Sequence, residues 1–157
     1  MSTEGIVNKE SYKGTKLSQQ TLIGGSIGPY GACLCDRSEY HGNYIDTINL
    51  EELKMWHRPR INALVQAGVD FLAIETIPSL TEAEAILSVI SDYPGVVCWI
   101  AFSCKDDKHL CHGENFCDAI TVIEKFKQVE AVGINCTPSQ FVEPLLLSIQ
   151  KRQRNQL

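Results

Sequence analysis

The chain has 157 residues, 44% apolar and 21% charged, with a net charge of −5, which is enough apolar content for one core and no basic stripe of the kind a nucleic-acid binder needs. Its first twenty residues are polar and lack the apolar stretch of a signal peptide, and no apolar run reaches the roughly 20 residues of a membrane span, so a cytoplasmic protein is expected. Seven cysteines, an odd number without a Cys-x-x-Cys pair, argue against a disulfide framework or zinc ribbon and for reduced thiols.

Thr21 to Ile27 is short, apolar and glycine-punctuated, and ends in the turn-forming Gly28-Pro29-Tyr30-Gly31, which predicts a strand. A long polar loop follows. Asn49 with Glu52 three residues on predicts a helix start, and Leu50, Leu53, Trp56, Ile61, Leu64 and Val65 recur near the helical period until Gly68, with a kink expected at Pro59. Phe71-Leu72-Ala73-Ile74 reads as a buried strand carrying Glu75 at its end. Thr81 to Glu84 reads as the capping box of a second helix, with Ala83, Ile86, Leu87 and Ile90 on one face. Val96 to Phe102 is a continuous apolar strand, and Phe116, Ala119, Ile120, Ile123 and Phe126 mark a third helix. A strand over 131–135 delivers Cys136 at its C-terminal end. Thr137 as cap, Pro138 and Gln140 then open a helix whose buried stripe is Phe141, Val142, Leu145, Leu146 and Ile149.

These are about four β/α units in one domain, 1–157, with a polar N-terminal segment (1–20) and a polar C-terminal tail (151–157). Periodicity alone does not separate a doubly wound open sheet from part of a (β/α)8 barrel. Gly24-Gly25-Ser26-Ile27-Gly28 lacks the G-x-G-x-x-G order and no G-K-[ST] is present, so a nucleotide cradle has weak support. In either architecture the strand ends carry the chemistry, which singles out Cys136 as a nucleophile or metal ligand, while Glu75, at the end of its own strand, reads equally as a solvated strand end or a helix-dipole partner. Cys98 reads as core and Cys33 and Cys35 as loop residues. Cys104, His109, Cys111, His112 and Cys117 cluster in one region without the spacing of a zinc module. His57 and Arg60 read as packing or surface residues of their helix.

Gly25-Ser26-Ile27-Gly28-Pro29-Tyr30-Gly31-Ala32, His57-Arg58-Pro59-Arg60, Glu75-Thr76-Ile77-Pro78 and Gly133-Ile134-Asn135-Cys136 occur in the order seen in homocysteine S-methyltransferases. The chain resembles that family from about Leu22 to Ile149, and its first motif is more similar to the branch using S-methylmethionine or S-adenosylmethionine as methyl donor. The resemblance implies a (β/α)8 barrel of which these strands are the third to sixth. It also implies zinc as cofactor, with Cys136 as one thiolate ligand and Glu75 as the carboxylate that holds the amino group of homocysteine; Asn135 and Ser103 are expected nearby as pocket groups on strand-end geometry alone. The family's two other zinc ligands, adjacent cysteines in a Gly-Gly-Cys-Cys segment, and an Asp-Gly-Gly segment of its first strand have no counterpart in these residues. The expectation is therefore a partial barrel with an incomplete zinc site. Two other classes stay open: a half-barrel that pairs through open sheet edges with itself or a full-length relative, and an unrelated open α/β protein binding a small anion at its strand ends.

Overall fold

Four short apolar runs become the strands of one parallel sheet in a computed structural model that describes residues 21–154, with side chains as far as Gln150. The N-terminal segment 1–20 and residues 155–157 of the tail lie outside the described residues, while 151–154 form the end of the last helix. The strands are β1 (Gly24–Ile27), β2 (Phe71–Ile77), β3 (Cys98–Phe102) and β4 (Val129–Ile134), and the helices are α1 (Leu50–Gln66), α2 (Leu80–Ile90), α3 (Phe116–Ile123) and α4 (Ser139–Arg154). Their order in the sheet is β1-β2-β3-β4, each pair parallel. A doubly wound sheet reverses its strand order at a switch point, whereas a barrel adds each strand beside the last. The unbroken order is that of a barrel. α1 packs on α2, α2 on α3 and α3 on α4. Among the described residues no helix is long and apolar enough to cross a membrane.

The sheet buries one face under these helices. Leu72, Ile74, Ile100 and Phe102 meet Ile86, Ile90, Phe116 and Ile120 in a single apolar cluster, with Leu145 closing it from α4. Each such side chain contributes roughly 1.5–3 kcal/mol of burial. The cap of α1 forms as expected: Asn49 Oδ1 accepts the Glu52 N–H at 3.0 Å and Glu52 Oε2 accepts the Asn49 N–H at 2.9 Å. The helix runs through Pro59 and ends just before Gly68, whose φ of +75° suits a residue without a Cβ.

Three local expectations are corrected. α2 is capped by Ser79, not Thr81, with the Ser79 Oγ accepting the Glu82 N–H at 3.2 Å. Thr137 does not cap α4; its hydroxyl accepts the Cys104 N–H at 2.9 Å and donates to the Asn135 carbonyl at 3.0 Å, tying β4 to the end of β3. Val142 and Leu146, expected in the buried stripe, lie outside it, Val142 half-buried and Leu146 exposed, because only Phe141, Leu145 and Ile149 turn toward the core. The loop expected between β1 and α1 is wound into three short 3-10 turns, 30–34, 38–40 and 43–46. They pack so closely that a Cβ on Gly31 would sit 2.7 Å from the Glu39 nitrogen and 2.5 Å from the Tyr44 ring.

The buried thiols make the fold sensitive to alkali. Cys98 lies in the core as expected, and burial pushes the thiols of Cys98 and Cys104 up to about 12 each. A thiol of the unfolded chain ionises near 8.5, so both sites favour the folded, neutral form. That contribution is whole below about pH 8.5 and is lost as pH climbs toward 12, at up to about 1.4 kcal/mol per unit for each thiol. Urea unfolding at pH 7.5 and pH 10 is expected to show the loss, and the double variant Cys98→Ala/Cys104→Ala to flatten it. An unchanged slope in that variant would remove these thiols as the cause.

Candidate functional site

The carboxyl ends of the four strands form a rim, and a bulge at the end of β2 shapes it. Between Ile74 and Ile77 β2 advances three residues while β3 advances two, from Ile100 to Phe102. One extra residue is thereby inserted, and the strand is bent where it carries Glu75 and Thr76. Ile74 faces the helices, so Glu75 lies on the opposite, concave face of the sheet, half-buried. Thr76 takes a φ of +62°, and Cys136, just past β4, takes +48°. Left-handed backbone in a residue other than glycine costs on the order of 1–3 kcal/mol and persists only where the surroundings enforce it.

Asn135 supplies that enforcement. Its Oδ1 accepts the Thr76 N–H at 2.8 Å, its Nδ2 donates to the Thr76 Oγ1 at 2.9 Å, and Nδ2 also approaches the Cys136 Sγ at 3.7 Å. Thr76 Oγ1 completes the ring at 3.4 Å from the same sulfur. β2 and β4 are not neighbours in the sheet. The Thr76–Asn135 pair therefore spans the end of β3 and joins the peptide beside Glu75 to the thiol of Cys136. That thiol is free and exposed.

Glu75, Asn135 and Cys136 are thus brought to one rim. Ser103 is placed differently: it is fully buried, its Oγ donating to the Glu39 carbonyl at 3.4 Å and its N–H to the Ile77 carbonyl at 3.0 Å. It braces the β1–α1 loop over the rim. Thr76 joins the rim as a site residue that strand-end position alone does not mark, although it stands inside the Glu75-Thr76-Ile77-Pro78 motif. Its role depends on a register shift between strands that are distant in sequence.

A second polar cluster holds the same loop from outside. Glu82 is fully buried near the start of α2; its Oε1 accepts the Tyr30 N–H at 2.6 Å and lies 2.9 Å from His57 Nε2, while Oε2 accepts the Tyr44 hydroxyl. Burial, reinforced by the Glu82 carboxylate, pushes the Tyr44 phenol well above its ordinary range, so it stays a donor. His57 is therefore a buried brace. Arg60 stands over the Trp56 ring at 3.5 Å, a surface stacking contact.

The soft ligands of the third loop have other partners. Cys104 and Cys111 are buried, Cys117 donates to Ser148 Oγ at 3.1 Å, His109 contacts Asp106 at 3.0 Å, and His112 lies 3.2 Å from both Asp46 and Glu114. Among the described residues no three His, Cys, Asp or Glu side chains are grouped so as to hold a metal ion. A catalytic zinc takes about three protein ligands, and Cys136 offers one. The described residues alone do not fit the ion.

Sequential parallel strands, helices on one face and a strand-end rim bearing an acid and a thiol define a run of (β/α)8-barrel units with its chemistry at the carboxyl ends. The chain belongs to the homocysteine S-methyltransferase family, whose model matches residues 6–157. It is 47% identical over 130 residues to homocysteine S-methyltransferase YbgG of Bacillus subtilis, covering 83% of this chain and 41% of that protein. It is 46% identical over 138 residues to a betaine-homocysteine S-methyltransferase of Drosophila melanogaster, covering 83% of this chain and 42% of the relative. Among solved structures it is similar to the metallated form of the homocysteine methyltransferase MmuM from Escherichia coli, with a TM-score of 0.79 and 38% identity over 84% of this chain and 45% of that one. The chain thus spans less than half the length of these relatives.

Proposed function

We propose that this chain carries the homocysteine-binding rim of a homocysteine S-methyltransferase that takes its methyl group from S-methylmethionine or S-adenosylmethionine and yields methionine. The observation that carries the reading is the joining of Glu75 to Cys136 across β3 by Thr76 and Asn135. A carboxylate on the concave face is the acceptor an amino acid's ammonium needs, and a charge-assisted hydrogen bond there holds the substrate backbone in one place. Asn135 and Thr76 keep that acceptor at a fixed separation from the thiol, and Ser103 supports the loop above. In the reaction the homocysteine sulfur, having released its proton to solvent, attacks the methyl carbon of the donor sulfonium. One S–CH3 bond forms as the other breaks, and the donor leaves as a neutral thioether. The zinc implied by the family would draw Cys136 as one ligand, and the described residues group no two further ligands with it. The donor choice rests on the Gly25 to Ala32 segment. The partners in this reading are homocysteine, the methyl donor and, through the open sheet edges, a second copy of the chain; the location is cytoplasmic.

Calorimetric titration of the folded chain with homocysteine tests the rim directly. Glu75→Gln is expected to weaken binding roughly 10- to 150-fold, the equivalent of one charge-assisted hydrogen bond. Equal affinity in the variant, or no binding by the folded parent, would sink the reading.

A further inference from the structure

Two of the glycines in the described strands are fixed by packing inside the chain. A Cβ on Gly24 would stand 2.6 Å from the Phe71 ring, and one on Gly25 would stand 3.1 Å from both Leu64 and Leu72. Gly133 of β4 is different. Among the described residues a Cβ there would meet the Ala101 methyl alone, at 3.9 Å, an ordinary contact. Its backbone does not call for glycine either, since the left-handed glycines are Gly42, Gly68, Gly95 and Gly113. Glycine inside a strand forfeits stability relative to alanine, and it often marks a place where a ligand or another backbone comes close.

The register of the sheet sets Gly133 in the row of the rim acid. Ala101 pairs with Gly133, and the bulge of β2 puts Glu75 and Thr76 together opposite Ala101. Ile100 and Phe102 on β3, like Val132 and Ile134 on β4, pack toward the helices, so Ala101 and Gly133 face the concave side with Glu75. Only a methyl group therefore stands between the acid and the bare peptide of β4, and Cys136 lies just beyond that peptide on the same strand end. We propose that Gly133 makes room for the substrate of this rim: the space its side chain would fill receives the carbon chain of the bound amino acid, which runs from Glu75 over Ala101 toward Cys136. The ligand class is a thiol amino acid with an unbranched chain, held by its ammonium. Methylenes lie flat against bare peptide, and a Cβ raised from that floor displaces one of them. The inference rests on the homocysteine reading above and assigns it one further residue.

Calorimetric titration with homocysteine and urea unfolding, both carried out on the parent, Gly133→Ala, Gly133→Val and Ala131→Val, separate a substrate role from a role in the fold. Ala131 lies on the same strand and face one row deeper, opposite Trp99. Gly133→Val is expected to weaken binding roughly 5- to 150-fold, the cost of overfilling a packed space, and Gly133→Ala to weaken it less. Neither should unfold at a lower urea concentration than the parent, because both replace a strand glycine without a clash inside the chain. Ala131→Val should bind as the parent does. A loss of affinity matched by a lower unfolding midpoint would make Gly133 a residue of the fold and overturn the proposal. Unchanged affinity in Gly133→Val, or an equal loss in Ala131→Val, would overturn it as well while leaving the homocysteine reading in place. A folded parent that binds no homocysteine would remove that reading and this inference together.

Discussion

Glu82→Ala is expected to destabilise the fold by about 3–5 kcal/mol, the range for removing one partner from a buried charged cluster. The carboxylate answers three donors at once: the Tyr30 N–H, the Tyr44 hydroxyl and His57. Its loss leaves a backbone N–H, a phenol and an imidazole buried without an acceptor, each a desolvation penalty that no relaxation of α2 repairs. Against a typical domain stability of about 5–15 kcal/mol the change is large. Tyr44→Phe separates the parts, since it removes one donor and leaves the carboxylate with two; about 1.5–3 kcal/mol is expected there. Urea unfolding of the two variants checks the ranking. Limited trypsin digestion supplies a local readout, because Arg37 is exposed in the loop that Glu82 anchors and should be cut faster in Glu82→Ala than in the parent. Equal stability of Glu82→Ala and the parent would show that the loop is held by other contacts.

The second large effect falls on the rim. Asn135→Ala removes the acceptor of the Thr76 N–H and the donor to Thr76 Oγ1 together. An unsatisfied, partly buried N–H costs about 1–3 kcal/mol. The left-handed conformations of Thr76 and Cys136 also lose what enforces them, so both are expected to relax toward negative φ. Glu75 then moves relative to the thiol. Homocysteine affinity should fall at least tenfold while the helices remain folded, a combination that calorimetry and circular dichroism read together. Asn135→Asp sharpens the test. It keeps an acceptor for the Thr76 N–H but has no amide donor, and it adds a charge beside the Cys136 sulfur, so it should retain more stability than Asn135→Ala without recovering the affinity. If Asn135→Ala binds homocysteine like the parent, the bridge between β2 and β4 is not what places Glu75.

The elements whose signals are local were legible in the sequence. Asn49 and Glu52 cap α1 because both halves of the box lie within four residues and nothing else competes for Glu52. The same pattern misleads at Thr81, which already lies inside a helix that starts at Leu80; Ser79 is the cap, and only half a box forms because the Glu82 carboxylate that would complete it is taken by Tyr30, Tyr44 and His57, residues from 25 to 52 positions away. Leu146 misleads for a related reason. Helical spacing marks an apolar face but not how much of its width the core covers, and the outer part of the α4 stripe lies beyond it. At the site, strand-end position and the family motif pick out Glu75, Asn135 and Cys136. Their mutual placement follows from a bulge and a hydrogen-bonded bridge between strands that do not pair, and neither leaves a periodic trace in the sequence.

The odd spacing at the end of β2 acts as a change of phase. A strand in strict alternation shows every second side chain to the same face, so two adjacent residues cannot both serve a rim without one being surrendered to the core. By slipping one residue against β3 before Ile77 turns back toward the helices, β2 frees two neighbours for separate work. Glu75 is left to the concave face while Thr76 is braced on the residue that ends β4. Deleting Thr76 would restore the rhythm of the strand and, in the same stroke, merge those two tasks into one position.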